Sequence, residues 1–280
     1  MLEEIIQQIT KCYDTIKKIR PLSESEKRYF NEEFAISTCH NSNAIEGNTF
    51  TYDETRLLLK QGITSSAHSF KEHEEIIGYK KAFDYLYVAL KQNQPIDDDF
   101  IKKIHSYVLQ GDEEAGQYRR IQNYVGDPAR IKYTPCPPSE VPTRMREYVN
   151  KLQADMAENV KIKEQSDYDW SRVFHTLAQH HIEFEKIHPF IDGNGRTGRL
   201  LLTYEMLSMG LLPVDIRYEE RAHYYAALSA YDSKSKYSTR ENSKTEKMAN
   251  LLAKSELCSM QEWINTFGVT TSATNNEWHK

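Results

Sequence analysis

Apolar side chains recur every three or four residues along nearly the whole chain, and this limits the fold to packed helices. Leu2, Ile5, Ile6, Ile9, Tyr13 and Ile16 form one such stripe before Pro21. A second helix is expected from about Ser23 to Ile45, with Gly47 where a left-handed cap would end it. Thr51 and Glu54, then Ser69 and Glu72, are spaced as capping boxes opening two further helices, the first stopped by Gly62. Asp97 begins another, carrying Phe100, Ile101, Ile104 and Val108 inward. The helical pattern returns near Val141 and from Asp169, then over about Gly195–Met209, Glu219–Tyr231 and Glu246–Phe267.

Two stretches break that pattern. Between Gly111 and Pro138, Gly116, Gly126, Pro128, Pro135 and Pro137 punctuate short β-prone pieces at Tyr124-Val125 and Ile131-Lys132-Tyr133, which predicts a small hairpin. The polar run Asp232–Lys244 reads as a linker, and the tail from Thr270 as frayed. The fold class is therefore all-α with one small β element, divided into N-terminal helices at 1–68, a core at 69–231 and a C-terminal linker, helix and tail at 232–280.

Composition narrows the function. The chain has 36 Lys+Arg against 41 Asp+Glu, so it lacks the basic excess of a general nucleic-acid binder. Its most apolar stretch, Leu200–Val214, is broken by Thr203, Glu205 and Ser208, so no bilayer span is expected. The first residues are acidic where a signal peptide needs a basic start. Cys12, Cys39, Cys136 and Cys258 are scattered without a CxxC pair, which fits reduced thiols in the cytoplasm.

One segment is not explained by packing: His188-Pro189-Phe190-Ile191-Asp192-Gly193-Asn194-Gly195-Arg196-Thr197-Gly198-Arg199. It follows a strong helix, breaks at Pro189 and re-enters a helix near Asn194. Gly193 and Gly195 let the backbone approach a ligand, and a helix N-terminus offers unpaired N–H groups to an anion. Arg196 and Arg199, at i and i+3, add two guanidinium forks, a set suited to a polyphosphate. Asp192 is a hard oxygen ligand, and one carboxylate is enough for a Mg²⁺ that also binds substrate phosphates. His188 titrates near neutrality and can take a proton from a hydroxyl.

HPFIDGNGRTGR resembles the signature of the Fic (Fido) family, HPFx[DE]GNGRxxR, at every fixed position. The resemblance implies a Fic-type helical core with a β-hairpin flap, and transfer of AMP from ATP to a protein hydroxyl with Mg²⁺ as cofactor. In that scheme His188 is the general base and Asp192 the metal ligand. Gly193, Asn194 and Gly195 form the anion hole, Arg196 helps hold the phosphates and Arg199 holds the γ-phosphate. Tyr224 and Tyr225 fall where the family places adenine contacts, although tyrosines at helical spacing also suit a core.

Ser42-Asn43-Ala44-Ile45-Glu46-Gly47 is similar to the family's inhibitory motif, [ST]xxxE[GN], in the arrangement where that helix precedes the core. By that resemblance Glu46 pairs with Arg199 and keeps it from the γ-phosphate. The stretch Gly116–Gly126 resembles the flap, whose Tyr118, Asn123, Tyr124 and Val125 would dock an extended target segment by strand addition. A homodimer is compatible with this scheme, and no membrane or specific nucleic-acid partner is expected. The alternatives are the reverse reaction, in which Glu46 orients water to remove AMP, transfer of phosphate instead of AMP, and a nucleotide sensor without turnover.

Overall fold

The computed structural model describes residues 1–19, 21–64, 67–127, 130–164, 169–230 and 242–268, which form ten α-helices and one short hairpin. They are α1 (Leu2–Lys18), α2 (Glu24–Ile45), α3 (Tyr52–Gln61), α4 (Phe70–Lys91), α5 (Asp98–Val108), α6 (Val141–Glu164), α7 (Trp170–Ile187), α8 (Asn194–Ser208), α9 (Arg221–Ala230) and α10 (Asn242–Phe267). Short polar side chains set where they begin. Ser23, Thr51 and Ser69 each make a reciprocal capping box with the glutamate three residues on, and Asp97 and Asp169 cap α5 and α7. Gly62 ends α3 in the left-handed conformation, and Gly47 takes a positive φ just beyond α2.

The hairpin pairs β1 (Val125–Asp127) with β2 (Arg130–Tyr133), antiparallel and with an irregularity between Val125 and Gly126. The expected flap at Gly116–Gly126 therefore lies mostly ahead of the strands, as an irregular segment. Helix α10 begins at Asn242, so residues 242–244 of the expected linker are helical. The expected helix end at Tyr231, the rest of that linker and the tail from Thr270 lie outside the described residues.

Two apolar cores share one pair of helices. One core gathers α2, α4, α5 and α6 around Phe83, Phe100 and Met145; the other gathers α1, α9 and α10 around Ile9, Met248 and Leu252. Helix α7 gives Phe184 to the first and Trp170, Phe174 and Leu177 to the second, while α8 splits Leu200 and Tyr204 from Leu202 and Met206 in the same way. Helix α8 is buried on opposite faces and carries Arg196, Arg199 and Glu205 among its buried residues, so it shows little amphipathicity. The His188 bend, joining α7 to α8, is thus fixed from both sides. Among the described residues no helix is long and apolar enough to cross a membrane.

Candidate active site

The bend is built by side chains that hold its backbone. His188 ends α7 with φ +48°, a left-handed conformation that a non-glycine residue adopts only where its surroundings hold it there. Asn194 closes the loop: its amide donates to the Phe190 carbonyl at 2.9 Å and its oxygen accepts the Phe190 N–H at 2.9 Å. The Asn194 side chain is thereby consumed, leaving only its main-chain N–H for a ligand. Phe190 stacks on His105 with ring centroids 3.6 Å apart. Because His105 Nε2 faces the Asp192 carbonyl and Nδ1 accepts the Gly116 N–H, the proton resides on Nε2. Burial lowers its pKa to about 4, so the ring stays neutral.

Arg119 fastens the irregular segment to the same bend. It is 2% exposed, donating from Nε to the His188 carbonyl at 2.8 Å and from Nη2 to the Cys136 carbonyl at 2.5 Å, while its own N–H reaches the Pro189 carbonyl at 2.9 Å. In the sequence this arginine reads as one charge of a solvated loop; its burial came without a sequence signal. Asn123 also turns inward, donating to the Phe190 carbonyl at 3.0 Å. Tyr118, expected to dock a target, bonds its hydroxyl to Asp98 and packs its half-buried ring on Phe190. Tyr124 is exposed at the start of the hairpin.

Within the bend, His188 Nδ1 lies 3.2 Å from the Glu185 carbonyl, which can only accept. Nδ1 therefore carries the proton and Nε2 keeps its lone pair, as a general base requires. Burial lowers the pKa of His188, the Glu185 carbonyl opposes this, and the shift is downward. Glu185 itself is pushed up to about 8, chiefly by burial, and its Oε1 has no hydrogen-bond partner. It fits beside α8 because Gly198 has no side chain: a Cβ there would stand 2.7 Å from that oxygen.

At the start of α8, Gly193 adopts φ +72° and donates its N–H to Asp192 at 2.6 Å. The N–H groups of the first turn point out of the helix end, toward any bound anion. Arg196 is 2% exposed, held between Glu75 at 3.3 Å and Asp192 at 3.5 Å, and its Nε has no hydrogen-bond partner. A buried guanidinium donor left unpaired is costly, and an anion at this helix end would relieve it. Asp192 is 55% exposed at the mouth. Among the described residues no three acidic, histidine or cysteine side chains gather around a metal. A lone exposed carboxylate at the mouth is the one protein ligand that a Mg²⁺ held mainly by phosphate and water would need.

Arg199 is already occupied. Its Nε donates to Ser42 Oγ at 2.8 Å, and its Nη2 donates to the Ser42 carbonyl at 2.8 Å and to Glu46 Oε1 at 2.7 Å. Burial works against its charge, yet the Glu46 carboxylate outweighs it and the pKa shifts upward. Any side chain at Gly195 would collide with Glu46, so the glutamate lies directly against the first turn of α8. Below Arg199, Tyr224 is 1% exposed, and its hydroxyl lies 3.5 Å from Nη1 and 2.9 Å from His181 Nε2. Its ring lies 5.6 Å from the guanidinium carbon of Arg199. Tyr225 is 39% exposed and donates to the Ile45 carbonyl at 3.1 Å.

The Fic/DOC family model matches residues 95–206. Protein adenylyltransferase fic-1 of Caenorhabditis briggsae is 36% identical over 218 residues, covering 74% of this chain and 38% of that protein. Protein adenylyltransferase Fic of Nematostella vectensis is 32% identical over 230 residues, covering 81% and 50%. The chain thus spans half or less of the length of these relatives. Among solved structures, a Fic domain-containing signaling protein from Bacteroides thetaiotaomicron shares the fold with a TM-score of 0.82 at 24% identity, over 94% of this chain and 97% of that one. Fic-1 from Caenorhabditis elegans gives 0.75 at 26% identity, over 96% and 74%.

Proposed function

The chain belongs, through its domain at residues 95–206, to the Fic/DOC family, and from that premise we propose that it transfers AMP from ATP to a protein hydroxyl while Glu46 restrains the reaction. The triphosphate would lie across the N-terminus of α8, its charge met by the first-turn N–H groups, by Arg196 Nε and, once Glu46 withdraws, by Arg199. His188 Nε2 takes the hydroxyl proton as the oxygen bonds to the α-phosphorus; the bond from that phosphorus to the bridging oxygen breaks, and pyrophosphate departs. Asp192 would hold the Mg²⁺ that neutralises charge on the leaving phosphates. Positioning and charge neutralisation supply most of the acceleration in such a transfer.

The observation that carries this reading is the coincidence, at one helix end, of an imidazole with its lone pair free and a buried guanidinium donor left unpaired. Tyr124, exposed at the hairpin, supports target docking along that edge. The four unpaired thiols are consistent with a reducing compartment such as the cytoplasm.

The restraint is competition: while Arg199 serves Ser42 and Glu46 it is withheld from the γ-phosphate, and the glutamate repels that phosphate. Incubation with α-labelled and γ-labelled ATP and a protein lysate tests both claims. Label should enter protein from the α-position only, about ten- to hundredfold faster with Glu46→Gly, and His188→Ala in that background should lose about 10²–10⁴-fold. Label from the γ-position alone would mean phosphate transfer. Equal rates for wild type and Glu46→Gly would refute the restraint, and release of AMP from modified protein by the wild type would assign the reverse reaction.

A further inference from the structure

The clamp on Arg199 lies in the last turn of α2, and a second polar contact of that helix lies one turn earlier. Ser37 and Asn41, at i and i+4, present their polar groups to one acceptor, the Asp215 carboxylate: Ser37 Oγ donates to Oδ2 at 2.5 Å and Asn41 Nδ2 donates to the same oxygen at 2.8 Å. The remaining Asn41 oxygen accepts the main-chain N–H of Tyr218 at 3.0 Å. Asn41 is 7% exposed, so neither of its groups has water as an easy substitute. All of these partners come from the segment immediately after α8, the helix that carries Arg199. One end of α2 is thus tied to α8 through Arg199, and its middle to the loop that α8 feeds.

We propose that Asp215 is a positioning residue for inhibition: its carboxylate, through Ser37 and Asn41, holds α2 in the register that delivers Glu46 to Arg199. Glu46 is the residue that caps this helix, so the seat of the Ser37–Asn41 turn sets where the backbone presents Glu46 to Arg199. An anion is the right partner here. One carboxylate oxygen can accept from both side chains at once, whereas a neutral amide in its place would make a weaker bond to each. Burial raises the Asp215 carboxyl to about 6, opposed by the two donors, so at neutral pH the group is ionised and accepts only.

This inference rests on the proposed AMP transfer restrained by Glu46, and four proteins separate the two. In the α-label assay, Asp215→Ala should label targets about fivefold or more faster than wild type, the scale of a typical coupling between sites. The double variant Asp215→Ala with Glu46→Gly should match Glu46→Gly alone, because the latch has nothing left to deliver. Asp215→Ala at the wild-type rate, with the double variant fully active, overturns the proposal. So does a double variant that loses activity, since Asp215 would then serve the fold. Amide hydrogen exchange over residues 42–46 reads the latch without turnover. Faster exchange in Asp215→Ala is expected, and unchanged exchange counts against the latch even if Glu46→Gly fails to activate and the functional reading falls on its own.

Discussion

At His180, protonation decides whether two carboxylates are satisfied. Nδ1 lies 2.7 Å from Glu205 and Nε2 lies 3.0 Å from Asp155, with the imidazole 1% and Glu205 2% exposed. Only an imidazolium donates to both. Burial opposes the charge, but the two carboxylates prevail and the pKa rises to about 9. A folded-state value above the unfolded 6.5 means that this contribution to stability is complete below pH 6.5 and is lost as pH rises through about 9. Thermal unfolding followed from pH 6 to 9.5 should therefore show falling stability over that window. His180→Gln, which no longer titrates, should flatten the slope; parallel curves would contradict the assignment. Nothing in the sequence marks this cluster, because Asp155, His180 and Glu205 come from three separate helices.

Among the elements, the irregular segment 116–124 differs most from its sequence reading. The helices could be read directly: Thr51, Ser69, Asp97 and Asp169 open them where capping chemistry requires. The bend at His188 was legible too, since its glycines and arginines occur within twelve residues. What could not be read was which way isolated side chains of a loop turn. Arg119 and Arg120 are neighbours, yet the first is 2% exposed and bridges main-chain carbonyls while the second is exposed. Tyr118 turned inward for a similar reason: Asp98, twenty residues earlier, offers its hydroxyl an acceptor. Arg119→Ala should lower the urea-unfolding free energy by about 3 kcal/mol by leaving those carbonyls without a donor. Arg119→Lys should not restore it, because one ammonium lacks the planar fork that spans them. Full recovery by lysine would mean that charge alone is required.

Across the whole molecule, the site depends on helices that are far apart in sequence. Glu46 and Arg199 are separated by 153 residues, and Glu75, which holds Arg196, comes from a third helix. The resemblance pairs Glu46 with Arg199 from sequence, whereas Glu75 belongs to no motif and is found only through packing. The two cores on either side of α7 and α8 keep the bend fixed, and α2, packed in the first core, brings Glu46 to it. In the proposed scheme the state of Arg199 is the variable that sets activity. The most direct test is a crystal of the Glu46→Gly protein soaked with a non-hydrolysable ATP analogue and magnesium. The triphosphate should lie over Gly193–Arg196 with its terminal phosphate on Arg199 and its α-phosphorus facing His188 Nε2. Nucleotide bound elsewhere, or a vacant helix end with Arg199 still turned to Ser42, would contradict the account.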